Sequence, residues 1–146
     1  MFVKFLSSII IVLLISISVG IGNCADDKFF KVSGFGEKWS TTDFVLEGTW
    51  ETLHLLDWGM TRDIKNHPGR YETNFILREH PSDTRIDIYM GSWAILHPVI
   101  TDLVPKNITI AGEYNIPART IFQGVSIGLS GGCVIKNFRL GFHVNF

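Results

Sequence analysis

Proline positions constrain this chain more tightly than any catalytic motif in it. Of its five prolines, Pro68 stands in His67-Pro68-Gly69, Pro81 opens Pro81-Ser82-Asp83, Pro105 follows Val104, and Pro117 precedes Ala118. Proline lacks the backbone N–H and clashes with the preceding turn, so it punctuates helices rather than continuing them. These positions delimit three segments that read at helical period. Pro98 alone falls inside a segment, where it should bend the helix.

The first segment predicts a helix from about Asp43 to Asn66, capped by Thr41 or Thr42. At about 100° per residue, Leu46, Leu53, Leu56, Met60 and Ile64 form one stripe, with Glu47, Glu51, His54, Thr61 and Lys65 opposite. The second helix should start after Ser82, a good N-cap, and run to Val104. Its uncharged stretch IYMGSWAILHPVIT (Ile88–Thr101) sets bulky apolar side chains against Gly91, Ala94, His97 and Pro98, which suits a membrane helix with its small face inward. KNITIAGEYNIP then reads as a loop, and Pro117 as the first residue of a third helix. Between Arg119 and Lys136 that helix has no charge, and Gly124, Gly128 and Gly132 repeat at intervals of four, a face another helix backbone can approach closely. The tail changes period: Phe138, Leu140, Phe142, Val144 and Phe146 alternate with polar or small residues, the pattern of a short C-terminal β-strand. The expected fold is therefore mainly α, a bundle of about three helices with that strand, after an N-terminal signal or anchor.

Lys4 followed by the uncharged run Phe5–Gly22 has the pattern of an export signal and is just long enough to span a bilayer. Residues 1–25 could be cleaved after Ala25, retained as an anchor, or lipidated at Cys24. Residues 26–146 would then be a single helical, membrane-embedded domain. The only other cysteine, Cys133, makes neither a disulfide framework nor a zinc site alone and reads as a small packed hydrophobe. A net charge of −1 with scattered Lys and Arg argues against a nucleic-acid partner.

Between the first two helices lies a stretch rich in acids, bases and histidines. Asp57 and Thr61 are one helical turn apart, and Glu72 and Asn74 share a side if extended, so these residues can form one polar cluster, with His80 and His97 as candidate neighbours. Hydrogen bonding that fixes the helix end is the better reading of the cluster, with a proton- or ion-handling acid as its alternative. The five histidines show no HExxH and no cysteine partner, and the serines lack a G-x-S-x-G setting. No catalytic residue, metal ligand or cofactor is assigned on this pattern.

The run Asp57-x-x-x-Thr61, then Glu72-x-Asn74 and Leu77, then His80-Pro81-Ser82 resembles a group of small membrane proteins of bacteria and their phages. The resemblance spans roughly residues 50 to 140, with Phe75 where that group usually has proline, and it implies location and architecture but no activity. Together these features predict a small integral membrane protein of the cell envelope, in the inner membrane, with a non-enzymatic structural or interaction role. Its partners would be membrane lipid and a second copy bound through the glycine-rich helix. The alternatives are an exported or lipid-anchored periplasmic domain with hydrolase or metal-binding activity, and a small outer-membrane β-barrel.

Overall fold

The structure, a computed structural model, describes residues 30–33 and 36–146. The expectations for residues 1–25, lipidation of Cys24 among them, lie outside the described residues. The chain forms two compact units. One is a small sheet of β1 (Phe30–Ser33), β2 (Asn107–Ile110) and β3 (Tyr114–Ile116), in that order. β2 and β3 pair antiparallel, Ile108 opposite Ile116 and Ile110 opposite Tyr114. Their turn needs left-handed backbone at Ala111 (φ 53°) and Gly112 (φ 71°), a conformation that glycine takes readily and alanine seldom does.

The other unit holds the three helices, α1 (Thr41–Asp63), α2 (Asp83–Leu103) and α3 (Ala118–Arg139), so the fold is mainly α as expected. Their boundaries follow local chemistry. Ser40, just before the two threonines, caps α1 in a reciprocal box: its Oγ accepts from the Asp43 N–H, and the Asp43 carboxylate accepts from Ser40 N at 2.7 Å. α1 tightens into a 3-10 turn over Ile64–Asn66 before His67-Pro68-Gly69. Ser82 caps α2 as its sequence indicates, and Pro117 stands one position ahead of its expected place, as the cap residue of α3.

α1 lies between the other two helices. Toward its C-terminal end Met60 and Ile64 pack with Val134 of α3 and Phe142 of the tail, flanked by Leu53, Leu56 and Leu140. A second apolar cluster joins Leu77 of the connection to Ile86 and Met90 of α2, with Trp58 of α1 beside it. Arg62 donates to both oxygens of Asp87 at 2.9 and 3.0 Å, and Trp58 Nε1 donates to the same carboxylate, pinning the end of α1 to the start of α2. Four of the five stripe residues of α1, Leu53, Leu56, Met60 and Ile64, are thus used as predicted. Its opposite face is not the solvent face: Glu47, His54 and Thr61 are buried as well, because a central helix has neighbours on both sides.

The membrane reading requires correction. Among the described residues no helix is long and apolar enough to cross a membrane. The uncharged runs of α2 and α3, residues 88–101 and 120–135, fall short of the about 20 residues a bilayer core demands, and Gly and Ser dilute the second. Transmembrane helices within residues 36–146, and the integral membrane bundle built from them, are therefore not supported. The barrel alternative fails on the three helices themselves. The described strands lie at 30–33, 107–110 and 114–116, whereas α3 runs on through Arg139 and the tail beyond it pairs with none of them. Its alternation has another cause. Phe142 enters the core, while Val144 and Phe146 lie against Gly59 of α1, and Asn145 N–H donates to the Gly59 carbonyl at 3.1 Å.

Gly59 permits that approach, since a Cβ there would sit 2.6 Å from Val144 Cγ1 and 3.1 Å from the Phe146 ring. Gly59→Val should push the tail off α1 and lower stability by about 1–3 kcal/mol, the usual range for overpacking. Chemical denaturation reads the loss, and amide exchange at Asn145 should accelerate in the same variant.

Candidate functional site

The most concentrated polar chemistry sits inside the helical unit, on residues one helical turn apart. Asp43, Glu47, Trp50 and His54 share one face of α1 and are all buried. His97 and Thr101 face them from α2, and Arg119 and Gln123 from α3. Glu47 is the common acceptor. His97 Nδ1 lies 2.6 Å from its Oε1, while Thr101 Oγ1 and Gln123 Nε2 donate to its Oε2 at 3.1 and 3.0 Å. Gln123 Nε2 also donates to the Asp43 carbonyl at 3.0 Å.

Arg119, fully buried, donates to the carbonyls of Val104, Asp102 and Glu37 and stands 4.0 Å from the Asp43 carboxylate. Burial alone would raise the Glu47 pKa. The hydrogen bonds from His97, Gln123 and Thr101, with the charge of His97, outweigh it and hold the carboxyl below its ordinary value. Aromatic faces close the network: Trp50 stacks between His97 (3.6 Å between ring centroids) and His54 (4.8 Å), and Phe122 lies 5.1 Å beyond His97. His54 donates to the Met90 carbonyl at 2.9 Å, and burial pushes its pKa below the usual histidine value. His97 Nε2 and Gln123 Oε1 are buried without a hydrogen-bond partner among the described residues. The acid and the imidazole have the contact of a general-base pair, but apolar rings and helix backbone enclose them, so the arrangement fixes helices rather than admitting a substrate.

The predicted cluster divides. Asp57 faces α3, where Asn137 Nδ2 donates to its Oδ1 at 2.7 Å. That partner replaces the expected Thr61 and Asn74. Burial, then the nearby charge of Glu72, pushes the Asp57 pKa up to about 7 against the Asn137 bond. Thr61 is buried one turn along. Glu72 and Asn74 build the connection itself: Glu72 accepts from Asn74 N–H at 2.7 Å, and Asn74 Oδ1 from Ile76 N–H at 3.0 Å, which turns Leu77 into the core. His80 is exposed on that connection. His97 belongs to the Glu47 network instead.

Gly124, Gly128 and Gly132 line the outer side of α3, and a Cβ added at any of them would meet none of the described residues within 4 Å. Cys133 is exposed, not a packed hydrophobe. A further group, Asp63, His67 and His143, gathers where the tail crosses the end of α1, with ligand-type atoms all within 4.8 Å of one another. Sequence reasoning missed Glu47, Thr101, Arg119 and Gln123. Their one available signal was polar residues recurring every three or four positions within otherwise apolar segments. The chain matches no protein-family model, no curated protein and no solved structure.

Two pH effects follow, of opposite sign. Asp57 binds its proton more tightly folded than unfolded, so its ionisation weakens the fold as pH rises from its ordinary 3.8 through about 7. Asp57→Asn retains an acceptor for Asn137 and should exceed wild type in stability at pH 8, the difference closing toward pH 4. Urea denaturation at both pH values checks this, and equal stability at pH 8 would refute it.

Glu47, held below its ordinary value, contributes stability that is fully present above pH 4.5 and is lost as pH falls through its folded value. Glu47→Ala leaves His97, Thr101 and Gln123 facing an empty site and should cost about 3–5 kcal/mol at neutral pH. Glu47→Gln should cost less and flatten the acid limb of the stability profile measured by urea denaturation.

Proposed function

We propose that this chain is a non-enzymatic assembly module that binds a second copy of itself through the outer face of α3. The supporting observation is the inverted polarity of that helix. Its inward side carries Arg119, Gln123 and Asn137, each bonded to α1 or to the chain beside it. Its outward side carries Ile121, Val125 and Ile135, 45–55% exposed, around the glycine row. At about 100° per residue these six positions fall within one sector of roughly 100°, a flat strip where a like helix can come close. Each helical glycine costs about 1 kcal/mol relative to alanine, and nothing within the described chain packs on this row to offset it. Isolated apolar side chains on a surface need no explanation, but a continuous strip favours association. Export of this module to the cell envelope is part of the proposal and rests on the signal-like pattern of residues 1–25.

Gly128→Leu tests the assembly. The added side chain meets nothing among the described residues, so the monomer should keep or gain up to about 1 kcal/mol of helix stability. Across a close helix pair it should clash, weakening association by about 1–3 kcal/mol, or roughly 5- to 150-fold. Sedimentation velocity on the full chain should show concentration-dependent dimers for wild type and a shift to monomer for the variant. A monomeric wild type, or a variant that associates equally well, overturns the proposal.

A further inference from the structure

We infer that Asp63, His67 and His143 form a binding site for a borderline divalent transition-metal ion, with zinc as the natural probe. Asp63 ends α1, His67 follows the 3-10 turn, and His143 comes from the tail folded back across both. Asp63 Oδ2 lies 3.5 Å from His67 Nδ1 and 3.7 Å from His143 Nδ1. An ion about 2.1 Å from each ligand spaces tetrahedral donors about 3.4 Å apart, close to both carboxylate–imidazole spacings. The two imidazoles, whose ligand atoms lie within 4.8 Å of each other, close onto the ion as it binds. Two imidazoles and one carboxylate suit zinc and its neighbours better than magnesium or calcium, which favour all-oxygen sites.

The carboxylate is held in place before any ion arrives. Asn66 Nδ2 donates to Asp63 Oδ1 at 2.7 Å, and His143 N–H donates to Oδ2 at 2.9 Å, leaving a further lone pair on Oδ2. Such outer bonds orient metal ligands and raise their affinity. The His67 ring is steadied edge-on against buried Phe142, with centroids 5.0 Å apart. Access is graded across the set: the Asp63 side chain is 8% exposed, His67 29% and His143 83%, so an ion can enter from solvent and water can complete its coordination. One existing contact must yield, because His67 Nδ1 lies 3.1 Å from the Asp63 carbonyl and donates to it when no ion is bound. The bound ion would tie the tail to α1, beside the Asn145–Gly59 bond that already holds it.

Isothermal titration of the tag-free full chain with zinc chloride tests the site, beside His67→Gln, His143→Gln, the double variant and His80→Gln as an exposed control. One ion per chain should bind wild type and His80→Gln alike. Loss of one ligand should weaken binding at least about tenfold, the lower end of what even outer-shell changes cost. In wild type the ring proton signals of His67 and His143 should shift on titration while that of His80 stays, a readout independent of whether any variant folds. No zinc uptake, unchanged affinity in the double variant, or a shift confined to His80 overturns the assignment.

Discussion

One buried carboxylate sets the arrangement of this protein. Glu47 takes hydrogen bonds from His97 and Thr101 of α2 and from Gln123 of α3, so three helices meet at two oxygens. A buried ion without partners is far more costly than any single bond it makes is favourable, and this asymmetry gives the site its specificity. Sliding α2 by one turn would carry His97 away from Glu47, and rotating α3 would withdraw Gln123. Apolar contacts alone tolerate such shifts; a carboxylate with named donors does not. Arg119 extends the same logic to the helix ends, bonding to carbonyls that α2 leaves open at its C-terminus.

A polar interior has a consequence for the exterior. The inward faces of α2 and α3 spend many positions on His, Thr, Arg, Gln and Asn, and their bulky apolar residues then point out: Ile88, Ile95, Val99 and Leu103 on α2, and Ile121 and Ile135 on α3, are all at least half exposed. Hydrophobic burial is concentrated instead toward the other end of the helical unit, in the Met60 and Leu77 clusters. The two ends thus do different work. One sets the register through directional bonds, and the other supplies the non-directional stabilisation that burial brings.

Helix starts were legible in the sequence to within a few residues because they depend on near neighbours, whereas the end of α3 at Arg139 was not. Ser82 and the prolines act within a few residues, and so does Ser40 through Asp43. Partner choice was not legible, since Glu47 meets residues 50 to 76 positions away. A helical wheel separates two faces but cannot say that both are buried when the helix is central, as Glu47 and His54 are. The 107–116 hairpin escaped for a different reason: Ala111 occupies a left-handed position that turn rules reserve for Gly or Asn. Uncharged runs in α2 and α3 resemble spanning segments in composition but not in length, at 14 and 16 residues (88–101 and 120–135). Of the polar cluster, Glu72 and Asn74 bond locally within the connection while Asp57 takes its partner from Asn137, 80 positions away and without any local signal.

The glycines make the same point about what a residue type can and cannot reveal. Gly59 and Gly128 both sit inside helices, and both carry the same intrinsic helix penalty. At Gly59 the missing Cβ is occupied space, filled by Val144 and Phe146, so the tail can lie flat on α1 and bring His143 over Asp63. At Gly128 the missing Cβ is open space among the described residues. The first glycine is explained inside the chain, and the tail's period-two pattern is the other half of that explanation, with Phe142 entering the core while Val144 and Phe146 meet α1. The second has no such counterpart in α1 or α2, although the three-residue company it keeps repeats on one face. Small residues at regular spacing lower the closest distance between two backbones only when a second backbone is there. Self-association supplies one without asking any other element of this chain to move.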